Sequence, residues 1–283
     1  ELFLFQKFIM FKKTYVYFNF ILNEEREKMK KLLSIIITGI MALSLMTGCT
    51  GTQEQAAEPQ NKLEAVKAAG KLIVGTSADY PPYEFHMVVD GVDTIVGFDI
   101  EIAKELAKGL GVELEIKDMA FDAVLAGVGT GMIDLGVAGI NPTPEREDAM
   151  DFSDVYYKAS HTIVVKSENV SQYSTEADLV GKVIGAQTGT LQEGVAQEIE
   201  GATVKSLGKV TDLILELKTG KIDAVMLELP VANSYANQNE DLDVADSVVF
   251  EKMEGGSSVI TAEGETELMA AVNEILAQLI KDG

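Results

Sequence analysis

The chain has 283 residues, 47% apolar and 24% charged, which is enough to bury the core of one large or two medium soluble domains. Its net charge of -22 repels phosphate backbones, so no nucleic-acid partner is expected. One cysteine and two histidines far apart in sequence exclude an internal disulfide and a Cys/His metal cluster, and no cofactor is expected.

Residues 1–28 are rich in Phe, Tyr and Lys and precede a start at Met29. Glu24-Glu25-Arg26-Glu27-Lys28 reads as purine-rich codons, so this stretch is expected to be translated upstream sequence. Met29-Lys30-Lys31 is a charged n-region, Leu32 to Thr47 is apolar or small, and Gly48-Cys49 follows. Residues 29–48 therefore read as a signal peptide, too short for a comfortable membrane span. Leu45-Met46-Thr47-Gly48-Cys49 resembles a bacterial lipobox. That resemblance implies lipidation of Cys49, cleavage just before it and a membrane anchor; the alternative is a small residue in an ordinary secretory signal. Residues 49–61 read as anchor and flexible tether.

Leu63 to Ala69 is a short predicted helix ended by Gly70, and Lys71 to Thr76 a buried strand. From Asp99, the expected N-cap, a helix places Ile100, Ala103, Leu106, Ala107 and Leu110 on one face, with Gly109 or Gly111 as the stop. Val112, Leu114 and Ile116 alternate as a strand; Asp122 to Val128 is a helix and Ile133 to Ala138 a buried strand. Thr130-Gly131-Met132-Ile133-Asp134 is echoed 89 positions on by Thr219-Gly220-Lys221-Ile222-Asp223. Lys71-Leu72-Ile73-Val74-Gly75 is echoed by Lys182-Val183-Ile184-Gly185-Ala186. Two echoes in the same order predict an α/β protein of two similar lobes, with a ligand cleft beyond the strand C-termini.

Five segments carry a family resemblance: residues 75–85 (Gly-Thr-Ser-Ala-Asp-Tyr-Pro-Pro-Tyr-Glu-Phe), 96–100, 141–157 with Asn141-Pro142-Thr143-Pro144-Glu145-Arg146, 187–190, and 220–224. In this order, behind the lipobox, they resemble the bacterial extracellular solute-binding proteins for polar amino acids. The resemblance implies a periplasmic-binding-protein-like fold, with lobe 1 at 62–158 plus 250–283 and lobe 2 at 159–249. Two crossover strands, near Tyr157 to Val165 and near Val248 to Phe250, would join the lobes. It also implies roles. Arg146 would clamp the ligand carboxylate with backbone N–H groups of Asn141 and of Thr190 or Leu191; its alternative is a surface ion pair. Glu228 and the Gly139 carbonyl would accept from the α-ammonium. Tyr80 and Phe121 would sandwich the side chain, ordinary core packing being the alternative for Phe121. Ser77, Asn141 and Leu191 depart from common family choices and bear on side-chain specificity. Asp79 and Glu84, near the pocket mouth, point towards a basic ligand.

The function implied is capture of a polar amino acid by hinge closure and its delivery to the membrane permease of an ABC transporter. The protein is expected to be a monomer, lipid-anchored on the extracytoplasmic face. The rival readings are an enzyme on the same fold, such as a cyclic-acid dehydratase, and a sensor ectodomain. After Glu267 to Ile280, a predicted helix, the chain ends at Gly283, which points to truncation relative to longer family members.

Overall fold

The computed structural model describes residues 59–250, 253 and 255–282. The upstream segment, the signal peptide, Cys49 and most of the tether lie outside the described residues. The first helix, α1 (Lys62–Ala69), is capped by the Asn61 side chain, which accepts from Glu64 N at 2.9 Å, and is closed by Gly70 at φ 67°. β1 (Lys71–Thr76) leads to the short β2 (Asp79–Tyr80), which pairs antiparallel with the hairpin β3 (Glu84–Val89) and β4 (Val92–Val96).

α2 (Phe98–Leu110) buries the predicted apolar stripe and ends at Gly111. Its N-cap is Gly97, not Asp99. Gly97 holds φ 132°, and a Cβ there would overlap the Tyr83 carbonyl oxygen, so only glycine lets the chain enter this helix. Asp99 lies inside the first turn and is fully buried. β5 (Glu113–Asp118), α3 (Phe121–Gly129), β6 (Leu135–Ile140), α4 (Pro144–Glu147) and β7 (Met150–Phe152) follow. β6 starts two residues later than expected. Ile133 is still turning out of α3, its N–H reaching Gly127 O at 3.4 Å, and its side chain fills the space above Gly75.

The second half contains β8 (His161–Lys166), β9 (Val183–Gln187), α5 (Leu191–Glu198), β10 (Thr203–Leu207), α6 (Val210–Lys218), β11 (Ala224–Glu228), α7 (Leu229–Gln238) and β12 (Leu242–Val244). The chain then returns as β13 (Ser258–Ala262) and α8 (Thr266–Asp282). One five-stranded sheet has the order β5-β1-β6-β13-β7, and the other β10-β9-β11-β8-β12. In each, three parallel strands adjoin an antiparallel one, so β1 corresponds to β9, β5 to β10, β6 to β11 and β13 to β8. β6 is buried along all six residues, as a strand covered on both faces must be. α1, α2 and α8 cover one face of the first sheet and α3 the other; α6 and α7 face α5 across the second.

The sequence echoes mark this internal repeat. Asp134 N donates to Ile73 O while Asp134 Oδ2 accepts from Ile73 N, both at 2.8 Å. Asp223 N and Oδ2 make the same pair of bonds with Val183, also at 2.8 Å. Thr130 and Thr219 both turn their hydroxyls back onto the preceding helix. Ile133 packs over Gly75 as Ile222 packs over Gly185. The β1 echo is therefore one residue out of the register first expected: Ile73 matches Val183 and Gly75 matches Gly185.

The lobes are joined where Tyr157 pairs with Ser257. Ser257 N donates to Tyr157 O at 2.8 Å and Tyr156 N to Ser257 O at 2.9 Å. The second crossing differs from the expected Val248 to Phe250, because Val248 and Phe250 pack into the core beneath β8 and β9 rather than spanning the gap. Likewise, His161 to Val165 already belongs to the second sheet.

Candidate functional site

A pocket lies between the lobes at the C-terminal ends of the parallel strands. It is lined by Ser77 after β1, Ala138 and Gly139 in β6, Asn141 just beyond it, Gln187 at the end of β9, and Thr190 and Gln192 at the start of α5. Tyr80, Glu84 and Phe121 complete the wall. This is where open α/β sheets leave helix N-termini and strand ends free to meet a ligand.

Phe121, the first residue of α3, is buried, yet it is both core and pocket wall. Arg146 stands over its ring, with Cζ 5.6 Å from the centroid. Thr143 caps the short α4 and so directs Arg146 inward. The guanidinium is not in a surface ion pair: Nη1 donates to Asn141 O at 2.6 Å and Nη2 to Gly189 O at 2.7 Å, linking the two lobes. Two of its five N–H donors are used in these bonds. Burial lowers its pKa, with Glu145 partly offsetting the effect.

Gly139 takes φ 57°, lines the pocket, and its N–H donates to Asp99 Oδ2 at 2.8 Å. Tyr80 stacks on Tyr83 with centroids 5.8 Å apart, and its hydroxyl accepts from Glu228 N and Gln192 Nε2, both at 3.3 Å. Thr190 is the N-cap of α5, but its own N–H turns back to Gln187 O at 3.2 Å. The N–H of Leu191, the first residue of α5, is among those a helix start leaves without an intrahelical acceptor. The Leu191 side chain packs against the core of the second lobe.

Glu228, at the end of β11, is buried, and its Oε2 has no hydrogen-bond partner. Burial raises its pKa to about 7; the Tyr83 hydroxyl and Asn141 side chain beside it favour the charged form without closing a bond on Oε2. Asp99 is raised to about 6 by burial, against the bonds from Gly139 N–H and the Tyr156 hydroxyl. Glu84 is fully buried, and neither carboxyl oxygen has a partner. Burial, then the charges of Asp99, Asp79 and Glu228, push its pKa well above the usual carboxylate range. Three buried acids thus sit together beneath the aromatic walls.

Asp79 is not at the pocket mouth. Its carboxyl accepts from Val210 N across the lobes and from the Ser77 hydroxyl, so it is taken up by the protein itself. His161 is buried beside Gln192 without lining the pocket, and burial lowers its pKa to about 4. Sequence reading missed Gln187 and Gln192 as pocket residues. Gln187 follows from the repeat, because it stands two residues after Gly185 as Ser77 stands two residues after Gly75. Among the described residues, no cluster of His, Cys, Asp and Glu has metal-binding geometry, and no helix is long and apolar enough to cross a membrane.

The sequence signature of the bacterial extracellular solute-binding proteins, family 3, matches residues 72–283. The arginine-binding extracellular protein ArtP of Bacillus subtilis is 36% identical over 261 residues, covering 90% of this chain and 94% of the relative. The L-cystine-binding protein TcyJ of Escherichia coli is 30% identical over 249 residues, covering 87% and 90%. Among solved structures, the amino acid ABC transporter substrate-binding protein AbpA of Streptococcus pneumoniae, bound to L-arginine, superposes with a TM-score of 0.75 at 41% identity, covering 78% of this chain and 93% of that one. These relatives are binding proteins rather than enzymes.

Proposed function

Since the chain belongs to the bacterial extracellular solute-binding proteins, family 3, we propose that it captures a basic amino acid, L-arginine above all, by hinge closure and hands it to an ABC transporter permease. The observation that carries the ligand class is Glu84. A fully buried carboxyl with both oxygens unpartnered, beside buried Asp99 and Glu228, is held neutral in the empty site, and a cationic side chain is the partner that would let it ionise there. A neutral side chain would leave the acid protonated and gain no ion pair. The names of ArtP and of arginine-bound AbpA support the same choice.

In this reading the ligand carboxylate meets the unused Arg146 N–H donors, Asn141, and the N–H groups at the start of α5. The α-ammonium meets the Gly139 carbonyl and Glu228. The side-chain stem lies between Phe121 and Tyr80, and its charged head meets Glu84. Arg146 already binds both lobes, so a ligand seated on it stabilises the closed form. Segments 155–160 and 255–257 act as the hinge between lobes 62–158 plus 250–283 and 159–249, with Phe250 and Met253 reassigned to the second lobe. The mature protein works as a lipid-anchored monomer through Cys49, and it performs no covalent chemistry.

A thermal-shift scan against the twenty amino acids and several cyclic acids tests this. The expected result is a large shift with L-arginine, a smaller one with L-lysine, and no consumption of ligand. A shift confined to neutral amino acids would remove the basic-ligand reading, and turnover of a cyclic acid would replace binding with catalysis.

A further inference from the structure

Beside the pocket, the lobes touch through groups that do not line it. Asp79 in β2 receives the N–H of Val210, the first residue of α6. Tyr235 in α7 donates its hydroxyl to Asp79 O at 2.6 Å. Lys209 Nζ reaches Asp118 Oδ1 at 2.8 Å and Met119 O at 3.1 Å. Each bond joins an element of the first lobe to one of the second, and none of these residues lines the ligand pocket. Tyr80 and Tyr83, on the loop that begins at Asp79, are buried among Val210, Leu213 and Val231 of the second lobe. The loop is therefore a tongue of the first lobe seated in the second.

We infer that Asp79 is a positioning residue: its carboxyl caps the start of α6 across the cleft and forms, with Lys209–Asp118 and Tyr235, a latch that holds the closed form without touching the ligand. A helix start offers N–H donors and a partial positive charge, so a carboxyl placed there holds better than a neutral group. The bond is buried, and opening the lobes would expose it to water, where its partners are exchanged for solvent. The latch sets how long the closed form lasts and is indifferent to which amino acid is inside. The inference rests on the reading that the lobes open and close, and it goes beyond the identity of the ligand.

The test is stopped-flow dissociation of L-arginine together with X-ray scattering of the ligand-free protein, for wild type, Asp79→Ala, Asp79→Asn and Lys209→Ala. Losing a hydrogen bond to a buried charged group should speed dissociation by about tenfold or more in Asp79→Ala. Association and the ratio of L-arginine to L-glutamine affinity should stay as in wild type, and the ligand-free radius of gyration should grow. Asp79→Asn keeps an acceptor oxygen and should fall between; Lys209→Ala should move the same way by less and lose its sensitivity to salt. A dissociation rate within twofold of wild type in Asp79→Ala and Lys209→Ala alike overturns the latch. So does a changed arginine-to-glutamine ratio, which would make Asp79 a ligand contact. If wild type does not bind L-arginine, the ligand assignment falls, while scattering of the ligand-free variants still decides the latch. Should Asp79→Ala fail to fold, Asp79→Asn and Lys209→Ala carry the decision.

Discussion

Replacing Glu228 by glutamine should make the ligand-free protein more stable at pH 8 while abolishing tight binding. Burial lifts the Glu228 carboxyl from the ordinary 4.5 to about 7. Between those values the folded protein holds a proton that the unfolded chain gives up. Its stability therefore falls as pH rises through this window and stays low above it. At about 1.4 kcal/mol per unit, the ionised carboxyl costs the fold about 3 kcal/mol above pH 7. Glu228→Gln keeps the shape and removes that cost. Thermal unfolding without ligand should rise by roughly 6–12 °C relative to wild type at pH 8, and differ little at pH 4.5. The same variant should lose affinity for L-arginine at pH 8, having lost the acceptor for the α-ammonium. Equal melting temperatures of the two proteins at pH 8, or a gap that widens towards low pH, would refute the reasoning.

Arg146→Ala should weaken L-arginine binding by roughly two to three orders of magnitude, measured by titration calorimetry, because the ligand carboxylate would be left buried without a charged donor. Glu84→Gln should lower the ratio of L-arginine to L-glutamine affinity at least about tenfold in competition assays, and raise stability in the same pH direction as Glu228→Gln. Gly97→Ala should destabilise by at least about 2 kcal/mol in urea unfolding, since φ 132° and the Tyr83 carbonyl leave no room for a Cβ.

The fold was legible because the helices and strands announce themselves by period and by glycine stops. The α2 stripe from Ile100 to Leu110 is buried as read, and Gly70 and Gly111 end helices in left-handed conformations. The echoes at Thr130 and Thr219 located the repeat, because an aspartate that closes onto the neighbouring strand through both its N–H and its carboxyl needs the same few residues each time. Asp99 misled because an aspartate before an apolar stripe looks like a cap, whereas here it is a buried acceptor for Gly139 N–H and the Tyr156 hydroxyl. The second crossing misled because apolar Val248 to Phe250 reads as a strand, while Val248 and Phe250 are core residues of the second lobe and the returning chain meets the first crossing at Ser257. The roles of Asp79 and Glu84 were not separable in sequence. They lie five residues apart on the paired strands β2 and β3, and only the position of α6 shows that the first is satisfied and the second is not.

The most direct test of the central claim is calorimetric titration of the protein with L-arginine, L-lysine, L-glutamine and L-cystine in parallel. L-arginine should bind most tightly, with the preference over L-glutamine falling in Glu84→Gln. No heat with any of the four, or tightest binding to L-cystine with Glu84→Gln unaltered, would contradict it.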